Sequence, residues 1–238
     1  MSHKNTAYQY HPVTVQPGTL RLLPGDAHRI LDLGGGRGGN GAYIKEHTGA
    51  DFVCVADLND YALERAADVD ATMVCDIGEP GAIEAVFSRH GPFDLVLLLD
   101  VLEHLFDPWR AIARLHSLMP VGGHLLASIP NVQNYRTVIR AATGGWRYRD
   151  QGLLDRTHLR FFGKRDAIDL MTCTGLELVG TDRNFAQGRR DALAGRLSFG
   201  LLDPFLTLQH QILVRKTSEH VADPGFCGAS GPTAEPLN

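Results

Sequence analysis

The chain has 238 residues, of which 44% are hydrophobic and 21% charged. That composition excludes a wholly disordered polymer and suits one large domain, or a domain with a lid, better than two. A formal net charge of −4 argues against a general nucleic-acid binder.

The longest apolar stretch, residues 95–102, is broken by Asp100 and is too short to span a bilayer. The first fifteen residues carry no apolar signal-peptide core. The four cysteines include no CxxC pair, so neither a disulfide framework nor a zinc knuckle is indicated. The expectation is a soluble protein of a reducing, cytoplasmic compartment with no membrane partner.

Residues 1–27 read as a loose N-terminal arm, with a short helix over 18–24 that stops at Pro24-Gly25. His28–Leu33 is a short apolar run halted by Gly34, which reads as a buried strand. A helix over 40–48 follows, then a strand over 51–56 ending at Asp57 and a helix over 60–67. A third strand over 71–75 ends at Asp76, and residues 80–89 are helical. A fourth strand covers 93–99, a helix 107–119, and a fifth strand 122–129 that Pro130 stops.

Five alternations with short connections predict right-handed crossovers and a Rossmann-like α/β fold. Its seven-stranded sheet is mainly parallel, with helices on both faces. The core unit spans 28–130, a basic and aromatic substrate lid 131–163 precedes the last helix, and 164–216 completes the sheet. That last part holds a helix over 164–174 and strands over 176–180 and 205–215. Residues 217–238 read as a disordered tail.

Ligands of such sheets lie beyond the carboxyl ends of the strands, where Asp32, Asp57, Asp76 and Asp100 all fall. Gly34, Gly36 and Gly38 follow the first strand and open a helix, so the backbone there can turn tightly against a ligand. Gly34, Gly36 and Gly39 also satisfy the dinucleotide fingerprint GxGxxG. Asp32, two positions before Gly34, suits a cationic group and repels a pyrophosphate. Asp57 suits ribose hydroxyls, and Asp76 followed by apolar Ile77 suits an adenine amino group beside a ring face.

The segments ILDLGGGRG, VCVADLND, MVCDIGEP, FDLVLLLDVLEHLFDP and LMPVGGHLLASIPN resemble the successive motifs of class I S-adenosylmethionine-dependent methyltransferases. The likeness covers residues 28–180. The stretch GGWRYRDQGLLDRTHLRFF resembles a bacterial branch with small-molecule and glycan-cluster enzymes. The resemblance implies S-adenosyl-L-methionine as cofactor. It places Asp32, Gly34, Gly36 and Gly38 at the methionine part, Asp57 and Leu58 at the ribose, and Asp76 and Ile77 at the adenine, with Asp100 beside them. Gly35 stands where many relatives carry Cys, a departure expected not to disturb the cofactor.

A hydroxyl acceptor needs its proton removed by a base or by a metal that lowers its pKa. Asp100, Glu103 and His104 have i, i+3, i+4 spacing and share a face if the turn is helical. With His158 they form a possible divalent-metal set, resembling the E-x-x-E-H motif of small-RNA 2′-O-methyltransferases and, in part, of ubiquinone-pathway O-methyltransferases. Imidazoles suit Mn better than Mg, whereas the resemblance favours Mg. Asp100 is one methylene shorter than that motif's first Glu. The alternative is a metal-free site in which His158, oriented by Asp155, takes the substrate proton, with His104 as second candidate.

Residues 131–165 hold eight basic side chains against Asp150 and Asp155, interleaved with Tyr135, Trp146, Tyr148, Phe161 and Phe162. These suit an anionic, planar or carrier-linked small-molecule substrate, or else merely anchor the lid. The leading expectation is O-methylation of a small molecule or glycan precursor. An RNA ribose 2′-O-methyltransferase, an N-methyltransferase and a non-catalytic cofactor-binding module are the alternatives, and nucleic acid is disfavoured by the overall charge.

Overall fold

The computed structural model describes residues 19, 21–185 and 189–222. The expected arm over 1–17 and residues 223–238 of the expected tail lie outside these. Of the expected helix over 18–24, residues 18 and 20 lie outside the described residues; residues 19 and 21 are in 3-10 conformation, and the Leu22 amide donates to the Thr19 carbonyl at 3.1 Å.

The chain alternates β1 (Arg29–Leu33), α1 (Gly39–Thr48), β2 (Phe52–Asp57), α2 (Asp60–Leu63), β3 (Ala71–Val74) and α3 (Ala82–His90). Then come β4 (Leu95–Leu99), a 3-10 turn (Leu102–His104), α4 (Pro108–Leu118), β5 (His124–Pro130) and α5 (Tyr135–Ala142). The chain ends with α6 (Lys164–Thr172), β6 (Glu177–Phe185), α7 (Arg189–Leu197), α8 (Asp203–Leu206) and β7 (Thr207–Arg215). The seven strands form one sheet in the order β3-β2-β1-β4-β5-β7-β6. β1 to β5 pair in parallel, and β7 runs antiparallel to both of its neighbours.

Alternation along the strands sorts the core into two layers. Leu31 and Leu33 of β1 and Val96 and Leu98 of β4 point to the layer shared with α3, α4 and α6. Ile30, Leu95, Leu97 and Leu99 point to the layer shared with Ile44 of α1. β4 is buried along its whole length, as a central parallel strand of continuous apolar residues should be. No helix among the described residues is long and apolar enough to cross a membrane.

Several elements depart from expectation. α2 stops at Leu63, because Arg65 and Ala66 bond three residues back, to Ala62 and Leu63, and tighten the last turn. β7 starts at Thr207 rather than 205, since Pro204 seats the first turn of α8. α5 inside the expected lid, and α7 and α8 before β7, are additional helices. The two ends of residues 131–163 meet: Asn131 pairs with Phe162, and the Val132 amide donates to the Phe162 carbonyl at 2.9 Å.

Candidate active site

The sheet order changes direction between β1 and β4, so the loops after these strands meet. A Cβ built on Gly34 would lie 2.5 Å from Val101 Cγ2, which leaves no room for a side chain where the two loops touch. Gly34, Gly36 and Gly38 all adopt positive φ (80°, 56° and 77°), the region glycine enters without a Cβ penalty. A Cβ on Gly36 would meet nothing within 4 Å, so the loop borders open space there.

Each acidic strand end on this side is met by backbone amides. Asp32, 1% exposed, accepts from the Gly41 amide at 3.0 Å. Burial pushes its carboxyl up to about 7; the Gly41 bond opposes the shift and the Asp57 charge adds to it. Asp57 accepts from the Gly36 amide at 2.8 Å and the Asn59 amide at 2.7 Å, so it braces the glycine loop. Asp76 accepts from the Gly78 amide at 2.9 Å. Leu58 is exposed and Ile77 is buried beside these ends.

Gly35 is more constrained than expected. A Cβ there would lie 2.5 Å from both Cγ and Oδ2 of Asp32, so a cysteine does not fit unless the carboxylate moves.

Beyond β4 the turn is not a continuous helix. Asp100 sits in the left-handed region at φ 59°, and only Leu102–His104 forms a 3-10 turn. The shared-face expectation therefore fails for Asp100. Its Oδ1 instead accepts from the Ser128 hydroxyl at 2.9 Å and the Gln209 amide at 2.7 Å. Aspartate tolerates that backbone region better than most residues.

The trio the fold does assemble is Glu103, His104 and His158, whose candidate ligand atoms all lie within 4.8 Å of one another. Asp100, whose Oδ1 is taken by Ser128 and Gln209, is not among these three. His158 Nε2 stands 4.0 Å from Glu103 Oε1, and the two imidazoles meet edge to face with centroids 4.8 Å apart. Glu103 is 1% exposed, and its carboxylate oxygens receive no hydrogen bond from any other described residue; only the residue's own amide lies close enough to favour the charge. Burial first, and the nearby Asp100 charge second, hold its carboxyl well above the usual carboxylate range. A buried carboxylate of this kind demands an explanation, and a cation or a bound proton each supplies one.

Backbone carbonyls orient both rings. His158 Nδ1 lies 3.3 Å from the Leu153 carbonyl, and His104 Nδ1 lies 3.2 Å from the Thr157 carbonyl. A carbonyl can only accept, so in the neutral rings these contacts favour a proton on Nδ1 and a lone pair on Nε2. The segment after His158 is held to the turn by the Leu159 and Arg160 amides, which donate to the Glu103 carbonyl at 2.8 and 3.0 Å.

The Asp155 carboxylate feels the charge of His158, and of His104 after it, but its hydrogen bonds come from the Thr157 amide at 2.8 Å and the Thr157 hydroxyl at 2.7 Å, and its backbone carbonyl accepts from the His158 amide. Burial works against the Asp155 charge, but the Thr157 bonds hold its carboxyl below the usual range. Sequence reasoning missed Thr157, Ser128 and Gln209. A threonine two residues after an aspartate is a turn signal that would have flagged Thr157; nothing in the sequence links position 209 to position 100.

Residues 8–181 match a family model described as a methyltransferase domain. The ubiquinone biosynthesis O-methyltransferase of Burkholderia thailandensis is 30% identical over 180 residues, covering 69% of this chain and 73% of the relative. That of Burkholderia cenocepacia is 29% identical with the same coverage. An S-adenosylmethionine-dependent methyltransferase structure from Mesorhizobium loti superposes with a TM-score of 0.56 at 17% identity, over 84% of this chain and 96% of its own. One from Archaeoglobus fulgidus gives 0.56 at 15% identity, over 84% and 90%. At such identity the two structures speak for the fold alone.

Proposed function

Since this chain belongs to the methyltransferase domain family and is an S-adenosylmethionine-dependent methyltransferase, we propose that it methylates a hydroxyl oxygen of a small molecule. The observation that carries this reading is the buried Glu103 carboxylate, without a hydrogen bond from any other described residue, beside His104 and His158. An amine acceptor has less need of such a group, whereas a hydroxyl must lose a proton. The names of the two Burkholderia relatives, both O-methyltransferases, support the same choice.

When bound, S-adenosylmethionine supplies the methyl on a sulfonium, a good leaving group that asks the protein mainly for alignment. Asp32 gives the donor's cationic end a buried negative partner, and Gly34, Gly36 and Gly38 let the backbone approach it. Asp57 and Leu58 take the ribose, Asp76 and Ile77 the adenine. Asp100, held by Ser128 and Gln209, stands where the donor loop meets the acceptor side.

Glu103, His104 and His158 fit a divalent cation: one carboxylate and two imidazoles with lone pairs on Nε2. Two imidazoles favour Mn over Mg. Such an ion would lower the pKa of an acceptor hydroxyl. A metal-free reading rests on the same His158 ring, whose Nε2 lone pair is what a general base requires. The exposed Arg147, Tyr148 and Arg149 of the lid suit an acceptor with an anionic or planar group.

Transfer of a tritiated methyl group to paired aromatic hydroxyl and amine acceptors, with and without EDTA, tests the proposal. Label on the hydroxyl, lost with EDTA and restored by Mn, is the expected result. Label confined to the amine contradicts it, and EDTA-resistant hydroxyl labelling transfers the proton to His158 itself.

A further inference from the structure

We propose that Thr157 is a positioning residue whose hydroxyl couples the Asp155 carboxylate to His104 and fixes which ring nitrogen of His104 bears the proton. The inference deepens the proposed function, since it rests on His104 belonging to the acceptor site. A threonine hydroxyl has one proton to give. Here it is directed to Asp155 Oδ1 at 2.7 Å, an oxygen that also accepts the Thr157 amide at 2.8 Å. The same hydroxyl oxygen lies 3.1 Å from His104 Nδ1. With its proton committed to the carboxylate, the hydroxyl can only accept from the ring.

The carboxylate therefore removes an option that an unanchored threonine would keep, namely turning its proton toward Nδ1 and moving the ring proton to Nε2. The Thr157 carbonyl, 3.2 Å from the same nitrogen, accepts in the same sense. Two acceptors from one residue converge on Nδ1, and the His104 lone pair is placed on Nε2. Asp155, whose carboxylate also feels the His158 charge, thus acts through Thr157 on His104 as well, while the His158 ring lies against the Leu153 carbonyl. The arrangement is a carboxylate–hydroxyl–imidazole relay of the kind that tunes a metal-binding or basic histidine from behind.

Long-range proton–nitrogen NMR on the full chain labelled at histidine nitrogens reads the tautomer directly, with His104→Gln assigning the resonance. The wild type is expected to show His104 protonated at Nδ1. Thr157→Val should give a mixture of tautomers, and Thr157→Ser should restore the single form. Calorimetric Mn affinity should fall about tenfold in Thr157→Val and recover in Thr157→Ser, with S-adenosylhomocysteine affinity unchanged in both.

An Nε2-protonated ring in the wild type overturns the proposal. So does a Thr157→Val protein with unaltered tautomer and Mn affinity, or a Thr157→Ser protein that behaves like the valine variant. If the wild type binds no Mn, or Glu103→Gln leaves Mn affinity and methyl transfer intact, the metal reading fails by itself, and the tautomer spectra still decide the role of Thr157.

Discussion

The two halves of the site treat their carboxylates in opposite ways. On the donor side, Asp32, Asp57 and Asp76 each receive at least one backbone amide, from Gly41, from Gly36 and Asn59, and from Gly78. On the acceptor side, Glu103 is as buried as Asp32 and more so than Asp57 or Asp76, yet it receives no hydrogen bond from another described residue, while the rings next to it lie against carbonyls. A satisfied carboxylate is a fixed part of a binding surface; an unsatisfied buried one is held ready for a cation or proton. Under the proposed function, the first half binds the donor and the second changes its protonation or its ligand during turnover.

The largest effect that sharpens this contrast belongs to Asp57. Asp57→Ala removes the brace on both Gly36 and Asn59, and S-adenosylhomocysteine affinity measured by calorimetry should fall by on the order of a hundredfold or more, consistent with losing charged hydrogen bonds. Retained affinity breaks the assignment of the donor side.

Gly35→Ala comes next. Its Cβ meets Asp32 at 2.5 Å and must displace the carboxylate, so donor affinity should drop about tenfold, with a lowered Tm, as overpacking of a tight contact predicts. Unchanged affinity would mean the loop yields easily.

Asp32 supplies a pH test. Its folded-state pKa, raised to about 7 from 3.8, means the free folded chain binds this proton more tightly than the unfolded chain does. Its contribution to stability is therefore present at low pH and lost as pH rises through about 7. A cationic donor prefers the ionised form, so binding below pH 7 should release a proton. Affinity should rise by up to about tenfold per pH unit below that value and flatten above it. Calorimetry in buffers of different ionisation enthalpy measures the release, and Asp32→Asn should abolish it.

The smallest expected effect is at Gln209, one of two hydrogen bonds on Asp100 Oδ1. Gln209→Ala should slow transfer by a few-fold with little change in Tm, about the loss of a single neutral–charged hydrogen bond shared with Ser128.

The donor side was legible in the sequence because it is local. Apolar runs bounded by glycine and aspartate mark the strands, and Asp32, Gly34, Gly36, Gly38, Asp57 and Asp76 all sit within one strand-to-helix turn of such a run. The meeting of Glu103, His104 and His158 was foreshadowed by residue type and spacing. Its wiring was not. The partners that orient the rings are the main-chain carbonyls of Leu153 and Thr157, which carry no side-chain signature. Asp100 is anchored by a residue 109 positions away, and its left-handed backbone defeats the helical-spacing argument. α5, α7 and α8 escaped notice because they give the core little apolar surface: Ile139 of α5, Leu193 and Leu197 of α7 and Phe205 of α8 all remain open to solvent.

The direct test of the division between binding and turnover is Glu103→Gln, isosteric but uncharged, measured in parallel for S-adenosylhomocysteine affinity and for methyl transfer to a hydroxyl acceptor. The account predicts donor affinity within about twofold of wild type and transfer reduced by about a hundredfold, the scale of a lost acid–base or metal contribution. Transfer at the wild-type rate, or donor affinity that collapses along with it, would contradict the account.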